Sequence, residues 1–125
     1  MEIKTNKNRL WESIMQMAKI GPGLRGGNCH LALTDSDIEG RNIFTKCAKE
    51  AGCILRLDSM GNIFARREGK ISDASLILSG SHLDTQPSGG KFDGILGVLG
   101  GLEVIRTLND FSIDTDRPLR NCSMD

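Results

Sequence analysis

The sequence predicts a single α/β domain, and three observations carry that expectation. Residues 7–20 place apolar side chains at helical spacing. The stretch "SLILSGS" at 75–81 has a continuous apolar centre, as expected of a strand covered on both faces. A polar loop and then a glycine-rich apolar stretch of helical length follow it directly. The chain has 125 residues, enough for one domain of ordinary size. A chain of this length buries about two thirds of the surface it exposes when unfolded.

The elements follow in order. In the first helix, Leu10, Ile14 and Ala18 form one stripe, with Trp11 and Met15 beside it. Gly21-Pro22-Gly23 stops this helix, and "GPGLRGGNCHLAL" (21–33) reads as a glycine-rich loop. A second helix is expected from Thr34. Thr34 and Asp37 have the spacing of a capping box, with Asp in place of the usual Glu. Its buried side is assigned to Ile38, Phe44, Cys47, Ala48 and Ala51, and Gly52 suits a left-handed cap. "CILRLD" (53–58) and "NIFARRE" (62–68) read as a hairpin joined by "SMG". After the 75–81 strand, a helix begins past Asp93. It carries Gly94, Gly97, Gly100 and Gly101, and an interior glycine costs about 1 kcal/mol against Ala in an exposed helix. Close packing of this helix's backbone against a sheet is the simplest reason for them.

Composition excludes several classes. Sixteen basic residues balance sixteen acidic ones, which gives no field to hold a nucleic acid or an anionic membrane. Aromatics are 4% of the chain, so Leu, Ile, Val and Met must fill the core. Cys29, Cys47, Cys53 and Cys122 include no C-x-x-C pair and read as reduced thiols. The N-terminus has no apolar signal-like region, and no apolar run is long enough to span a bilayer. A cytoplasmic location is the default.

The chemistry concentrates in "LILSGSHLDTQPSGGKFDGILGVLGG" (76–101). A lone histidine is more often structural than a ligand. Yet His82 stands just past the end of a strand, where open α/β sheets place their ligands. Asp84, two residues on, projects from the same face of an extended backbone. A carboxylate there can hydrogen-bond the free ring nitrogen of a metal-bound imidazole, fixing its tautomer. Asp93 has two readings that spacing does not separate. It is either the N-cap of the following helix or a carboxylate bridging two metal ions. His30 is near no carboxylate that the sequence places, and reads as structural or surface. Gly94-x-x-Gly97-x-x-Gly100 lacks the lysine and hydroxyl of a phosphate loop, so a nucleotide site is not expected.

These residues carry a resemblance. "GSHLDTQPSGGKFDGILGVLGGLEVIRTLND", with "LALTDSDIEGRNIF", "AGCILRLDSMGNIFARREG" and "GPGLRGG" upstream, resembles the zinc-dependent hydantoinase/carbamoylase group of amidases. That group comprises N-carbamoyl-L-amino-acid hydrolases, β-ureidopropionases and allantoate amidohydrolases, within the dinuclear metallopeptidase superfamily. The resemblance covers roughly residues 8–118. It implies the N-terminal part of a metallopeptidase-like catalytic domain, with residues 1–125 a partial domain and the sheet incomplete. The inserted dimerisation domain, through which the family forms homodimers, and the C-terminal half of the catalytic domain are not in these residues. The resemblance further implies that His82 and Asp93 are metal ligands and that Asp84 supports His82. Two divalent metal ions (Zn, Mn or Co) serve the intact family. They polarise the carbamoyl carbonyl and lower the pKa of a bridging water, and a glutamate takes its proton. The implied substrate is an N-carbamoyl amino acid, hydrolysed to amino acid, carbon dioxide and ammonia. Allantoate hydrolysis is the alternative within the group, and a non-catalytic interaction module the alternative outside it.

The family's Glu-Glu pair and later histidines do not occur here. After Arg117-Pro118 the chain reads "LRNCSMD", which does not look like the hydrophobic strand expected there. With one choice of synonymous codons, "RNCSMD" read one base later gives Glu-Ile-Val-Gln-Trp, so a shift of reading frame just after Leu119 is expected. The isolated chain, with two ligands where a catalytic zinc needs three, is expected to be inactive and to bind metal poorly. An unpaired sheet edge is expected to make it poorly soluble.

Overall fold

A computed structural model describes residues 1–124 of the chain. Helix α1 (Lys7–Ala18) opens on Asn6, whose side chain accepts a 3.0 Å hydrogen bond from the Arg9 N–H. It ends two residues short of the predicted limit, and buries Ile14 and Met17. A short 3-10 turn (Leu24–Gly26) lies in the glycine-rich loop. Helix α2 (Asp35–Glu50) has Thr34 as N-cap, accepting from the Asp37 N–H at 3.4 Å. The reciprocal bond of the capping motif runs one residue further back. The Asp37 carboxylate accepts from the Leu33 N–H at 3.0 Å. Gly52, with φ +84°, follows α2 in the left-handed conformation that lets the Cys53 N–H reach back to the Ala48 carbonyl at 3.0 Å. The predicted buried side of α2 is corrected at Ile38, which is 54% exposed. Asp37, held by its capping bond, turns inward in its place.

Strands β1 (Ile54–Leu57), β2 (Ile63–Arg67), β3 (Ile77–Ser81) and β4 (Leu119–Ser123) form one sheet in the order β1-β2-β4-β3. β1 and β2 are the predicted antiparallel hairpin, with Leu57 opposite Ile63. Asp58 closes its turn, accepting from the N–H groups of Met60 and Asn62 at 2.9 Å each. β4 runs antiparallel to β2 and parallel to β3.

β4 corrects the expectation that residues after Pro118 would not form a strand. Asn, Cys and Ser have little intrinsic preference for strands, but a segment laddered on both sides gains more from its neighbours than propensity costs it. Asn121 also has a specific role. Its amide donates to the Val98 carbonyl in helix α3 (Ile95–Asp110) at 2.8 Å, and its oxygen accepts from Ser79 at 3.3 Å.

β3 is corrected as well. Its apolar centre predicted cover on both faces, but Ile77 is 45% and Leu78 59% exposed. β3 is an edge strand here, and the helices lie on one face of the sheet only. The core sits between that face and α1, α2 and α3, with Phe44, Met17, Ile95 and Leu102 fully buried. The glycines of α3 divide. A Cβ at Gly97 would lie 2.6 Å from Ser81 Cβ, and one at Gly101 would lie 2.5 Å from the Asn121 side-chain oxygen. Gly100 faces open space. Close packing therefore accounts for two of the three.

Arg9 joins α1 to α3. Its guanidinium donates twice to the buried Glu103 carboxylate, at 2.9 and 2.6 Å. Burial works to raise the Glu103 carboxyl, but the Arg9 bonds and the Asn6 N–H outweigh it and hold the group below its ordinary range. All four cysteines are free, and burial pushes the Cys53 and Cys122 thiols up. Among the described residues no helix is long and apolar enough to cross a membrane.

Candidate functional site

The β3–β4 ladder ends at the site. The Met124 N–H donates to the Ser81 carbonyl at 2.8 Å, and His82 is the next residue. The strand therefore sets where the imidazole starts, and buried Leu83 anchors the chain just beyond it. The His82 Nδ1 lies 2.9 Å from the Asp84 carbonyl oxygen and 3.2 Å from its Oδ1. A proton on Nδ1 satisfies both oxygens and leaves the Nε2 lone pair available. The two side chains are 39% and 30% exposed, so the ring is reachable from solvent.

Asp93 is exposed at the other end of the loop. Its N-cap reading is overturned. The N-cap of α3 is Gly94, with no side-chain capping bond. Gly94 has φ +72°, and a Cβ on it would fall 2.3 Å from the His82 ring. The backbone next to Asp93 thus packs directly on the imidazole. Only glycine combines that conformation with that approach.

The glycine-rich loop at 21–33 holds the loop that runs from His82 to Asp93, a contact the sequence did not reveal. The His30 N–H donates to Thr85 Oγ1 at 2.7 Å, and the Thr85 N–H donates to the His30 carbonyl at 2.7 Å. Asn28 and Gly89 exchange backbone bonds at 2.8 and 3.0 Å. Asn28 and His30 in turn donate to carbonyls at the end of α1, Asn28 to Ala18 and Ile20, His30 through Nε2 to Ile20. His30 is buried, so its structural reading stands and its surface reading falls. The sequence signal was weak: nothing local marks Thr85 as the partner of a residue 55 positions away. Phe92 adds a further tie, with its ring 6.0 Å from that of Trp11 on α1.

The donors fit one edge of a metal site. His82 has its Nδ1 engaged and its Nε2 open, the way a metal-bound imidazole is held. Among the described residues, however, no three His, Cys, Asp or Glu side chains converge on one point. The structure joins His82 to Asp84 and brings the backbone beside Asp93 to the ring. It does not close a ligand set.

Comparison with known proteins places this geometry. No family profile matches the chain. An N-carbamoyl-L-amino-acid amidohydrolase of Rhizobium meliloti is 54% identical over 116 residues, covering 93% of the chain and 28% of the relative. An allantoate amidohydrolase of Bacillus subtilis is 32% identical, over 83% of the chain and 25% of the relative. The crystal structure of a hydantoinase/carbamoylase family amidase from Burkholderia vietnamiensis superposes with a TM-score of 0.96. It is 52% identical and is matched over 98% of this chain and 30% of its own. The chain thus spans a little over a quarter of the curated relatives it matches.

Proposed function

We infer that the intact protein is a metal-dependent amidohydrolase of N-carbamoyl-L-amino acids, on the premise that this chain belongs to the hydantoinase/carbamoylase family of amidases. The observation that carries the reading is the His82–Asp84 contact at the end of β3, within a stretch so similar to a carbamoyl-amino-acid hydrolase. The higher identity to that relative than to the allantoate amidohydrolase favours the carbamoyl substrate. Residues 1–125 are part of the catalytic domain. The remaining ligands, the general base and a dimerisation domain come from sequence outside them. In this reading His82 offers Nε2 to a divalent ion, Asp84 fixes the ring, and Asp93 supplies a carboxylate. Such an ion polarises the carbonyl and acidifies a water. The four free thiols suit a reducing cytoplasmic compartment.

A chimera tests this. The 125 residues replace the matching segment of the Rhizobium meliloti relative, and ammonia release from N-carbamoyl-L-amino acids is measured with added zinc, manganese or cobalt. Hydrolysis is expected, and His82→Ala should reduce it by about 100-fold or more, the scale of losing a metal-site residue. A folded chimera without hydrolysis, or one indifferent to His82→Ala, sinks the proposal. The 125-residue chain alone should show no activity under the same conditions.

A further inference from the structure

Of the two residues read as metal ligands, His82 is steadied by Asp84, but Asp93 is steadied by nothing its own side chain touches. Asp93 is exposed, and among the described residues it makes no hydrogen bond or ion pair. Its backbone neighbours set its place. Gly94 on one side packs so closely on the His82 ring that a Cβ would fall 2.3 Å from it. Phe92 on the other side has its ring 6.0 Å from that of Trp11, tilted by 35°. The Phe92 carbonyl accepts from the Leu96 N–H at 3.0 Å, in the first turn of α3.

Neither aromatic ring fills the core. Helix α1 enters the core through Ile14 and Met17, whereas Trp11 is 55% and Phe92 44% exposed. Trp11 is the only tryptophan of the chain, and its ring contact is Phe92, at a separation where tilted aromatic pairs attract. Trp11 is itself fixed. Two residues before it, Arg9 binds Glu103 and Asp110 of α3. Two residues after it, Ser13 Oγ accepts from the Arg106 guanidinium at 2.9 Å. The far end of α1 holds the front of the loop, through Asn28 and His30 and on to Gly89 and Thr85. From Trp11 to Ala18 is about 10 Å of helix. One rigid rod therefore braces the loop twice, just past His82 at Thr85 and just before Asp93 at Phe92.

We propose that Trp11 is a positioning residue for Asp93. Through Phe92 it fixes where the carboxylate stands relative to His82, and α1 is the spacer between the two halves of the loop. The proposal rests on the family reading above, in which both side chains meet a divalent ion. A carboxylate that must be ordered as the ion binds lowers the affinity, and one already in place does not. A ring pair that only stabilised the fold would leave ion affinity alone.

Two measurements test this, and neither reads activity. In the 125-residue chain without metal, amide hydrogen exchange at Leu96 reports whether the Phe92 carbonyl stays in place. Relative to Leu102, further along the same helix, Trp11→Ala should speed it by about 3- to 10-fold, the scale of a lost aromatic pair. In the chimera, zinc affinity is measured by competition with a chromophoric chelator. Trp11→Ala and Phe92→Ala should each weaken it by about tenfold, the low end of what losing a metal ligand's partner costs. The double variant should lose no more than either single, because the rings act together. Trp11→Phe should restore affinity to within about threefold of the parent, since it keeps an aromatic partner. Ala48→Gly, which weakens helix α2, should leave affinity within about twofold. Leu96 exchange indifferent to Trp11→Ala overturns the proposal. So does zinc affinity that falls with His82→Ala but not with Trp11→Ala, or that falls equally with Ala48→Gly. Affinity indifferent to His82→Ala sinks the metal-site reading itself, and the role of Trp11 with it.

Discussion

Gly94 is the residue on which the geometry of the site most directly turns. Its φ is +72°, and the His82 ring occupies the place of its Cβ. Gly94→Ala should cost about 2–3 kcal/mol, the sum of a strained backbone and a steric displacement. The His82 ring resonances should move with it. Gly101→Ala meets the Asn121 side chain and should also destabilise, by about 1–3 kcal/mol. Gly100→Ala meets nothing and should stabilise by up to about 1 kcal/mol, because alanine is the better helix former. Urea unfolding of the three variants checks this order, and equal effects at 100 and 101 would refute it. At this scale the sequence was partly legible. The glycines announced close packing, but spacing alone could not tell the two that touch the sheet from the one that does not. Nor could it tell that Gly94, and not Asp93, begins the helix. Both facts depend on where β3 and β4 lie.

Among the elements, α1 and α3 are fastened by an ion-pair network that the sequence concealed, in which Arg9 meets Glu103 and, at 2.8 Å, Asp110. Glu103 stands in an apolar helix stretch, and its partner Arg9 is 94 residues away. The Glu103 carboxyl is held below its ordinary value of 4.5. A carboxyl depressed in the folded state stabilises the fold fully above its unfolded pKa. That stabilisation is lost as pH falls through the depressed folded value. Unfolding free energy should therefore decline as pH drops below about 4.5, and part of that decline should vanish in Glu103→Gln. At neutral pH the variant should lose about 1–2 kcal/mol, the scale of hydrogen bonds to a charged group, because Arg9 keeps its pair with Asp110. Denaturant melts at several pH values check both points; an unchanged acid slope would show that Glu103 is not its source. The strands teach a related lesson. The hairpin was legible because its alternation and turn are local. β4 was not, because "RNCS" becomes a strand only between two neighbours, and β3 looked fully buried because its apolar side chains suit cover that these residues do not provide.

At the scale of the whole molecule, one face of the sheet packs helices, the other is open, and β1 and β3 present unpaired edges. The α/β class was readable from the helices and strands along the chain, and the incomplete sheet from the resemblance. Which strand would be the edge was not, because β4 inserts between β2 and β3 from the far end of the sequence. The consequence is colloidal. Exposed edges and an exposed apolar face both invite association, and a net charge of zero does little to oppose it. Leu78 belongs to both, as an edge-strand residue pointing away from α3. Leu78→Lys should therefore raise the concentration at which the chain stays monomeric in light scattering. It should shift unfolding free energy by no more than about 0.5 kcal/mol, as exposed substitutions do. Leu102→Lys, made at a fully buried site on the helix side, should instead abolish cooperative unfolding. If the unaltered chain already runs as a soluble monomer with a cooperative, high-temperature melt, the open face is not a liability. Leu78→Lys would then change nothing. If the lysine variant aggregates as readily as the parent, association must use the edge backbones rather than the face. Breaking β1 pairing with a proline at an edge position would then be the effective substitution.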